Sequence, residues 1–179
     1  MKILVVGGTG MIGGHAALYL RSKGHDVTVA GRHAPAAGTP LGNLPFLSID
    51  YQAATAFPAG FDVLVFCAGN DIRHVPPEES TEDYWHKANS IAVPRFFQLA
   101  RDAGVKVAIN VGSFYPQAAP QTVAGNPYVR SRKESDEGIR ALNGPGFRAI
   151  SVNAPFVLGA VEGLTVPMFA AYTQYAQGK

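Results

Sequence analysis

The stretch Val5-Val6-Gly7-Gly8-Thr9-Gly10-Met11-Ile12-Gly13-Gly14 constrains the fold more than any other part of this sequence. It follows Lys2-Ile3-Leu4-Val5-Val6, a short apolar run rich in β-branched residues that reads as a buried parallel strand. Beyond it, Ala16, Ala17, Leu18 and Leu20 recur at helical spacing until Ser22-Lys23-Gly24 stops the pattern. The glycines therefore occupy a strand-to-helix turn, and three of them have mechanical tasks. Gly7 permits the tight turn, Gly10 lets a pyrophosphate approach the backbone, and Gly13 lets helix and strand pack closely. The helix start adds unpaired N–H groups and the positive end of a dipole. A glycine-rich turn with no ligand is the alternative. The strand before it, the helix after it and the strand that follows favour the phosphate reading.

Further strand signals recur at 25–30, 45–49, 62–67, 105–111 and 147–153, with helical patterns at about 12–23, 82–103 and 129–143. Apolar strands alternating with helices predict an α/β fold, a doubly wound parallel sheet of Rossmann type with helices on both faces. Residues 35–45 form a Pro/Gly/Ala loop. Residues 70–81 and 114–127 are longer loops at the carboxyl ends of strands, where open α/β sheets bind ligands, and are candidate substrate walls. The length of 179 residues suits one domain with a substantial core, and 47% hydrophobic against 16% charged residues excludes a disordered chain. A net charge of +2 argues against nucleic acid as a partner. With no signal-peptide pattern and no apolar run of spanning length, the expectation is a soluble cytoplasmic protein with no membrane contact. Cys67, the only cysteine, excludes an internal disulfide and reads as an inert core residue. His15, His25, His33, His74 and His86 show no metal-ligand spacing, so no metal is expected. Asp71, Glu78, Glu79, Glu82 and Asp83 read as a solvated acidic loop and helix start.

The turn Gly7–Gly13, the strand ending Cys67-Ala68-Gly69, Asn89, the run Leu99-Ala100-Arg101-Asp102-Ala103-Gly104-Val105, Ser113 and Pro127-Tyr128-Val129-Arg130-Ser131-Arg132 come in a particular order and spacing. In these the chain resembles the short-chain dehydrogenase/reductase superfamily, in its extended or atypical branch of NAD(P)-dependent epimerases, dehydratases and reductases. The resemblance covers nearly the whole chain. It implies that Gly7, Thr9, Gly10, Met11, Ile12 and Gly13 cradle the dinucleotide and that Ala68-Gly69 lets it lie flat. Asp50 stands where the family's carboxylate meets the adenine amino group, or else it caps the following turn. It further implies a homodimer through helices 82–103 and 129–143, and an alcohol, ketone or sugar-nucleotide substrate.

The acid that would hold the adenine ribose of NAD is missing after the second strand, where Gly31-Arg32-His33 stands instead. Loss of that carboxylate removes repulsion against a 2′-phosphate, and Arg32 can meet the phosphate with a forked contact. The expected cofactor is thus NADP, with NAD the alternative and a solvated loop cation the bland reading of Arg32.

In the family a tyrosine phenolate moves the proton, a hydroxyl holds the substrate oxygen, and a lysine four residues after the tyrosine stabilises the phenolate and grips the nicotinamide ribose. A free phenol titrates near 10, so a nearby cation is needed at neutral pH. Four helical residues place the cation on the same face. Tyr128 and Ser113 match, but Arg132 replaces the lysine, and Lys133 lies about 100° away round an ideal helix. Arg132 stays charged and can reach ribose hydroxyls, yet it is bulkier and cannot lose a proton. The expected catalytic set is Ser113, Tyr128 and Arg132, for an NADP(H)-dependent hydride transfer at a secondary alcohol or ketone. A non-catalytic sensor or scaffold that lost the lysine is the alternative. Tyr115 is a second aromatic near the site, and Asn89 braces a helix or carbonyl there.

Residues 1–160 are assigned to the dinucleotide domain. Residues 161–179 begin a C-terminal substrate-binding region, truncated or minimal, with an apolar stripe of Met168, Phe169, Tyr172 and Tyr175 in need of a partner.

Overall fold

The computed structural model describes residues 1–70 and 75–178. Asp71 and His74, singled out above, lie outside the described residues.

Strands β1 (Lys2–Val6), β2 (Asp26–Gly31), β3 (Phe46–Ser48), β4 (Val63–Phe66), β5 (Val107–Ser113) and β6 (Arg148–Ala154) form one sheet in the order β3-β2-β1-β4-β5-β6. Every pairing is parallel. The chain starts at the sheet centre, builds outward to β3, returns to β4 beside β1, and builds outward again. Strand order therefore reverses between β1 and β4, which opens a crevice beyond their carboxyl ends.

The period of two in β1 sorts the core into its layers. Ile3 and Val5 join Val27, Val29, Val63 and Val65 beneath helix α1 (Met11–Ser22), whose Ala17 is fully buried. Leu4 and Val6 join Leu64 and Phe66 on the other face, with Phe96 and Phe97 of helix α3 (Ala92–Asp102) and Ile139 of helix α5 (Pro127–Arg140). A tilted and edge-on cluster of Tyr51, Phe57, Phe66, Phe96 and Phe97 fills this second layer.

The helix expected over 82–103 is interrupted. Helix α2 (Thr81–Trp85) runs into a π-helical turn, His86–Ile91, before α3 begins. Pro94 supplies the reason: it has no N–H for the carbonyl of Ser90, and its ring would collide with that carbonyl in a regular helix. Ser80 caps α2, its Oγ accepting from Asp83 N at 3.1 Å. α5 starts at Pro127, two residues earlier than the apolar pattern indicates, because Asn126 Oδ1 accepts from Val129 N at 3.2 Å and Pro127 suits a first helical position.

After β6 the chain crosses the carboxyl edge of the sheet. Val161 is buried in the α1-side core with Leu41 of the 35–45 loop, and Val161 and Leu164 pair in a short antiparallel bridge. Helix α4 (Tyr115–Ala118) lies within the loop after β5, and α6 (Pro167–Ala176) closes the described chain. On α6, Met168, Tyr172 and Tyr175 are exposed, and Tyr172 meets Phe156 edge-on at 5.7 Å. Among the described residues no helix is long and apolar enough to cross a membrane.

Candidate active site at the switch point

The glycine turn shows why each position is glycine. Gly7 has φ of +77°, and a Cβ there would lie 2.5 Å from Ala68 N. At Gly13 a Cβ would overlap the Gly7 carbonyl oxygen. Both are demands of the fold itself. Gly10 is different: its Cβ would meet nothing nearer than Gly7 O at 3.5 Å, an ordinary contact. The protein does not need glycine at position 10, whereas a group lying on the turn would.

Gly10 is also the N-cap of α1, with no side-chain cap and no acidic residue in the first turn. The first helical bond, from Gly14 N to Gly10 O at 2.7 Å, leaves the N–H groups of the first turn without helical partners. An anion at that end satisfies them.

Two depressions meet over this turn. The larger, about 580 Å³, is bounded by Gly10, Met11, Ile12 and Gly13 and by Ser113, Tyr115, Tyr128 and Arg132. The smaller, about 250 Å³, is lined by Thr9, Gly31, Arg32, Asp50, Tyr51 and Gln52. Gly7, Gly10, Ala68, Gly69 and Asn70 line both, so the two form one groove across the switch point. All the expected cofactor and catalytic residues stand in this groove. Its outline and its uncapped helix end fit a dinucleotide with the adenosine half toward β2 and the other half toward β5.

Thr9 sits over Gly31, where a Cβ would lie 3.0 Å from Thr9 Oγ1. Arg32 is exposed at the rim. Asp50 Oδ1 accepts from Gln52 N at 3.0 Å, so this carboxylate shapes its own turn while lining the smaller depression.

Tyr51 and Asn70, which sequence reasoning did not single out, form the floor between the halves. Asn70 Nδ2 donates to Tyr51 Oη at 2.6 Å, and Tyr51 Oη donates to Ala88 O at 3.1 Å. Burial holds the Tyr51 phenol well above its ordinary pKa, against the opposing influence of the Arg132 charge, so it stays neutral. Burial likewise pushes the Cys67 thiol up to about 12, leaving it a neutral wall residue.

α5 supplies Tyr128 and Arg132 from successive turns. Tyr128 packs edge-on against Trp85 at 5.1 Å. Asn89, fully buried in the π-helical turn, donates through Nδ2 to Ser131 Oγ at 3.1 Å, and Ser131 Oγ donates to Tyr128 O at 2.8 Å. The π turn thus fixes the start of α5 and the tyrosine on it. Arg132 is 8% exposed; its Nη2 donates to Val111 O at 3.2 Å, and its Nε has no hydrogen-bond partner. Lys133 is exposed and bound to Glu137 at 2.7 Å. Ser113 ends β5, opposite Ala154 of β6, with its Oγ accepting from Tyr115 N at 3.4 Å. Among the described residues no group of His, Cys, Asp and Glu could hold a metal ion.

Fold and groove together define a Rossmann-type dinucleotide-binding domain with a tyrosine, a serine and a buried cation at one end. Residues 3–177 match the model of the NAD dependent epimerase/dehydratase family, and the chain belongs to that family. It is 25% identical over 93% of its length to a 4-hydroxy-2-methyl-3-oxo-4-farnesyl-3,4-dihydroquinoline-1-oxide ketoreductase of Stigmatella aurantiaca, of which it spans 53%. Among solved structures it resembles MoeE5 in complex with UDP-glucuronic acid and NAD, at a TM-score of 0.70 and 19% identity, over 100% of this chain and 62% of that one. It also resembles a UDP-galactose 4-epimerase, at a TM-score of 0.69 and 19% identity, over 99% of this chain and 63% of that one. The chain thus spans about half the length of this curated relative and under two thirds of these solved ones.

Proposed function

We propose that this chain is the catalytic dinucleotide domain of an NADP(H)-dependent oxidoreductase that interconverts a ketone and a secondary alcohol. The observation that carries this reading is the joining of the glycine groove to Ser113, Tyr128 and Arg132 in one cavity. A relative named as a ketoreductase supports a carbonyl substrate.

When bound, the dinucleotide supplies the hydride for the carbonyl carbon. The first turn of α1 and the open face at Gly10 hold the pyrophosphate, Arg32 meets the 2′-phosphate, and Ala68-Gly69 gives the flat wall. Arg132 reaches the nicotinamide ribose with the donors that Val111 O leaves free. Ser113 Oγ orients the substrate oxygen, and Tyr128 Oη donates the proton to it. Arg132, one helical turn further along α5, is the cation that would favour the phenolate that is left. The alternative of a non-catalytic sensor or scaffold draws on one observation, the guanidinium donor engaged by Val111 O.

The cofactor assignment is tested at Arg32, a residue exposed at the rim. Arg32→Ala is expected to weaken NADPH binding by about tenfold or more, the worth of a charged hydrogen-bond contact, and to leave NADH binding nearly unchanged. Equal effects on both nucleotides would remove Arg32 from the 2′-phosphate site.

A further inference from the structure

The far wall of the catalytic cavity is built by residues 154–159 and 164–169, and no Lys, Arg, His, Asp or Glu lies among them. Thr165 is the one hydroxyl-bearing side chain there. The wall belongs to the fold rather than hanging from it. Val161 anchors it in the α1-side core, its bridge to Leu164 fixes the turn, and the Phe156 ring rests against Tyr172. Yet Phe156 is 56% exposed, Leu158 50% and Met168 42%, an apolar surface turned toward solvent beside the reacting end of the groove. Among the described lining residues Arg132 is the one Lys or Arg, and it is buried on α5 one turn after Tyr128.

These apolar side chains favour a hydrocarbon body over a charged one. A sugar nucleotide carries a diphosphate, and desolvating it against these apolar side chains costs heavily. A hydrocarbon body gains from the same wall. Resting on the proposed ketone–alcohol chemistry, we infer that the substrate is a ketone with an uncharged, apolar body. Its carbonyl lies between Ser113 and Tyr128, and its alkyl, prenyl or fused-ring portion lies along Phe156, Leu158, Leu164, Val166, Met168 and Phe169. In the reduction the carbonyl carbon takes the hydride of the reduced dinucleotide. The C=O π pair becomes the oxygen's bond to the Tyr128 proton, a secondary alcohol forms, solvent reprotonates Tyr128, and oxidised dinucleotide is left.

The test is calorimetric titration of the chain, first with NADP+ and then, on the NADP+-loaded chain, with 2-pentanone, 2-heptanone, 2-undecanone and UDP-glucose. With the oxidised cofactor the ketones have no hydride to accept, and nucleotide absorbance checks that UDP-glucose is not oxidised. Ketone affinity is expected to rise along the series by roughly two- to fourfold per methylene, with UDP-glucose weaker than 2-undecanone. Met168→Lys and Leu158→Lys are each expected to weaken 2-undecanone by about tenfold while NADP+ binds as before. Flat affinity along the ketone series, or UDP-glucose binding tighter than 2-undecanone, would overturn the substrate class and leave the cofactor reading standing. Failure to bind NADP+ would overturn both, and the first titration reads it separately.

Discussion

Tyr128→Phe is expected to lower the NADPH-dependent reduction of a ketone by roughly 10²- to 10⁴-fold, the contribution of a positioned general acid. The NADPH dissociation constant should stay nearly the same, because the ring keeps its edge-on contact with Trp85 and only the hydroxyl is lost. The magnitude follows from geometry. Asn89 and Ser131 hold the first turn of α5, and Tyr128 on that turn lines the cavity, where the proposed proton transfer needs it. Arg132→Lys is the companion variant. It gives the site the more compact cation of the family's tyrosine-lysine pair, and turnover is expected to rise. Turnover unchanged by Tyr128→Phe would remove Tyr128 from the role of proton donor, and a parent chain that binds NADPH but reduces no ketone would favour the non-catalytic alternative.

The second large effect separates two glycines three residues apart. Gly7→Ala is expected to destabilise the fold by about 2–4 kcal/mol. The alanine would carry a left-handed φ and press its Cβ into the backbone of Cys67 and Ala68. Gly10→Ala should leave the melting temperature nearly unchanged, since its Cβ makes only an ordinary contact with Gly7 O at 3.5 Å. It should nonetheless weaken NADPH by tenfold or more, because the methyl would occupy the approach to the pyrophosphate. Thermal denaturation and cofactor titration of both variants check the pair. A Gly10→Ala protein that binds NADPH as well as the parent would place the pyrophosphate elsewhere.

Much of this architecture was legible in the sequence because its signals are local. Buried parallel strands are apolar runs, and the glycine turn between β1 and α1 has a fixed spacing, so sheet, switch point and cofactor groove follow from short segments. The register of Tyr128 and Arg132 follows from helical geometry alone. What stayed hidden depends on distant contacts. The π turn at His86–Ile91 needs the effect of Pro94 on a carbonyl four residues back, which apolar periodicity does not reveal. The Tyr51–Asn70 floor joins residues 19 apart in sequence through one hydrogen bond. Arg132's contact with Val111 O spans 21 residues and shows how a guanidinium is seated where the family carries lysine. The apolar wall had a visible signal in Phe156-Val157-Leu158, three large apolar residues in a loop. The anchoring of Val161 beneath it places this loop on the wall of the larger depression, with Ser113 and Tyr128.

The central claim is that the groove over the glycine turn holds NADP(H). Fluorescence titration tests it directly, since Trp85, the only tryptophan, packs against Tyr128 at the reacting end. NADPH and NADH are each titrated into the purified chain. Saturable quenching by NADPH, with NADH at least tenfold weaker, is the expected result. Binding of neither nucleotide would contradict the account, and tighter binding of NADH would contradict its assignment of Arg32.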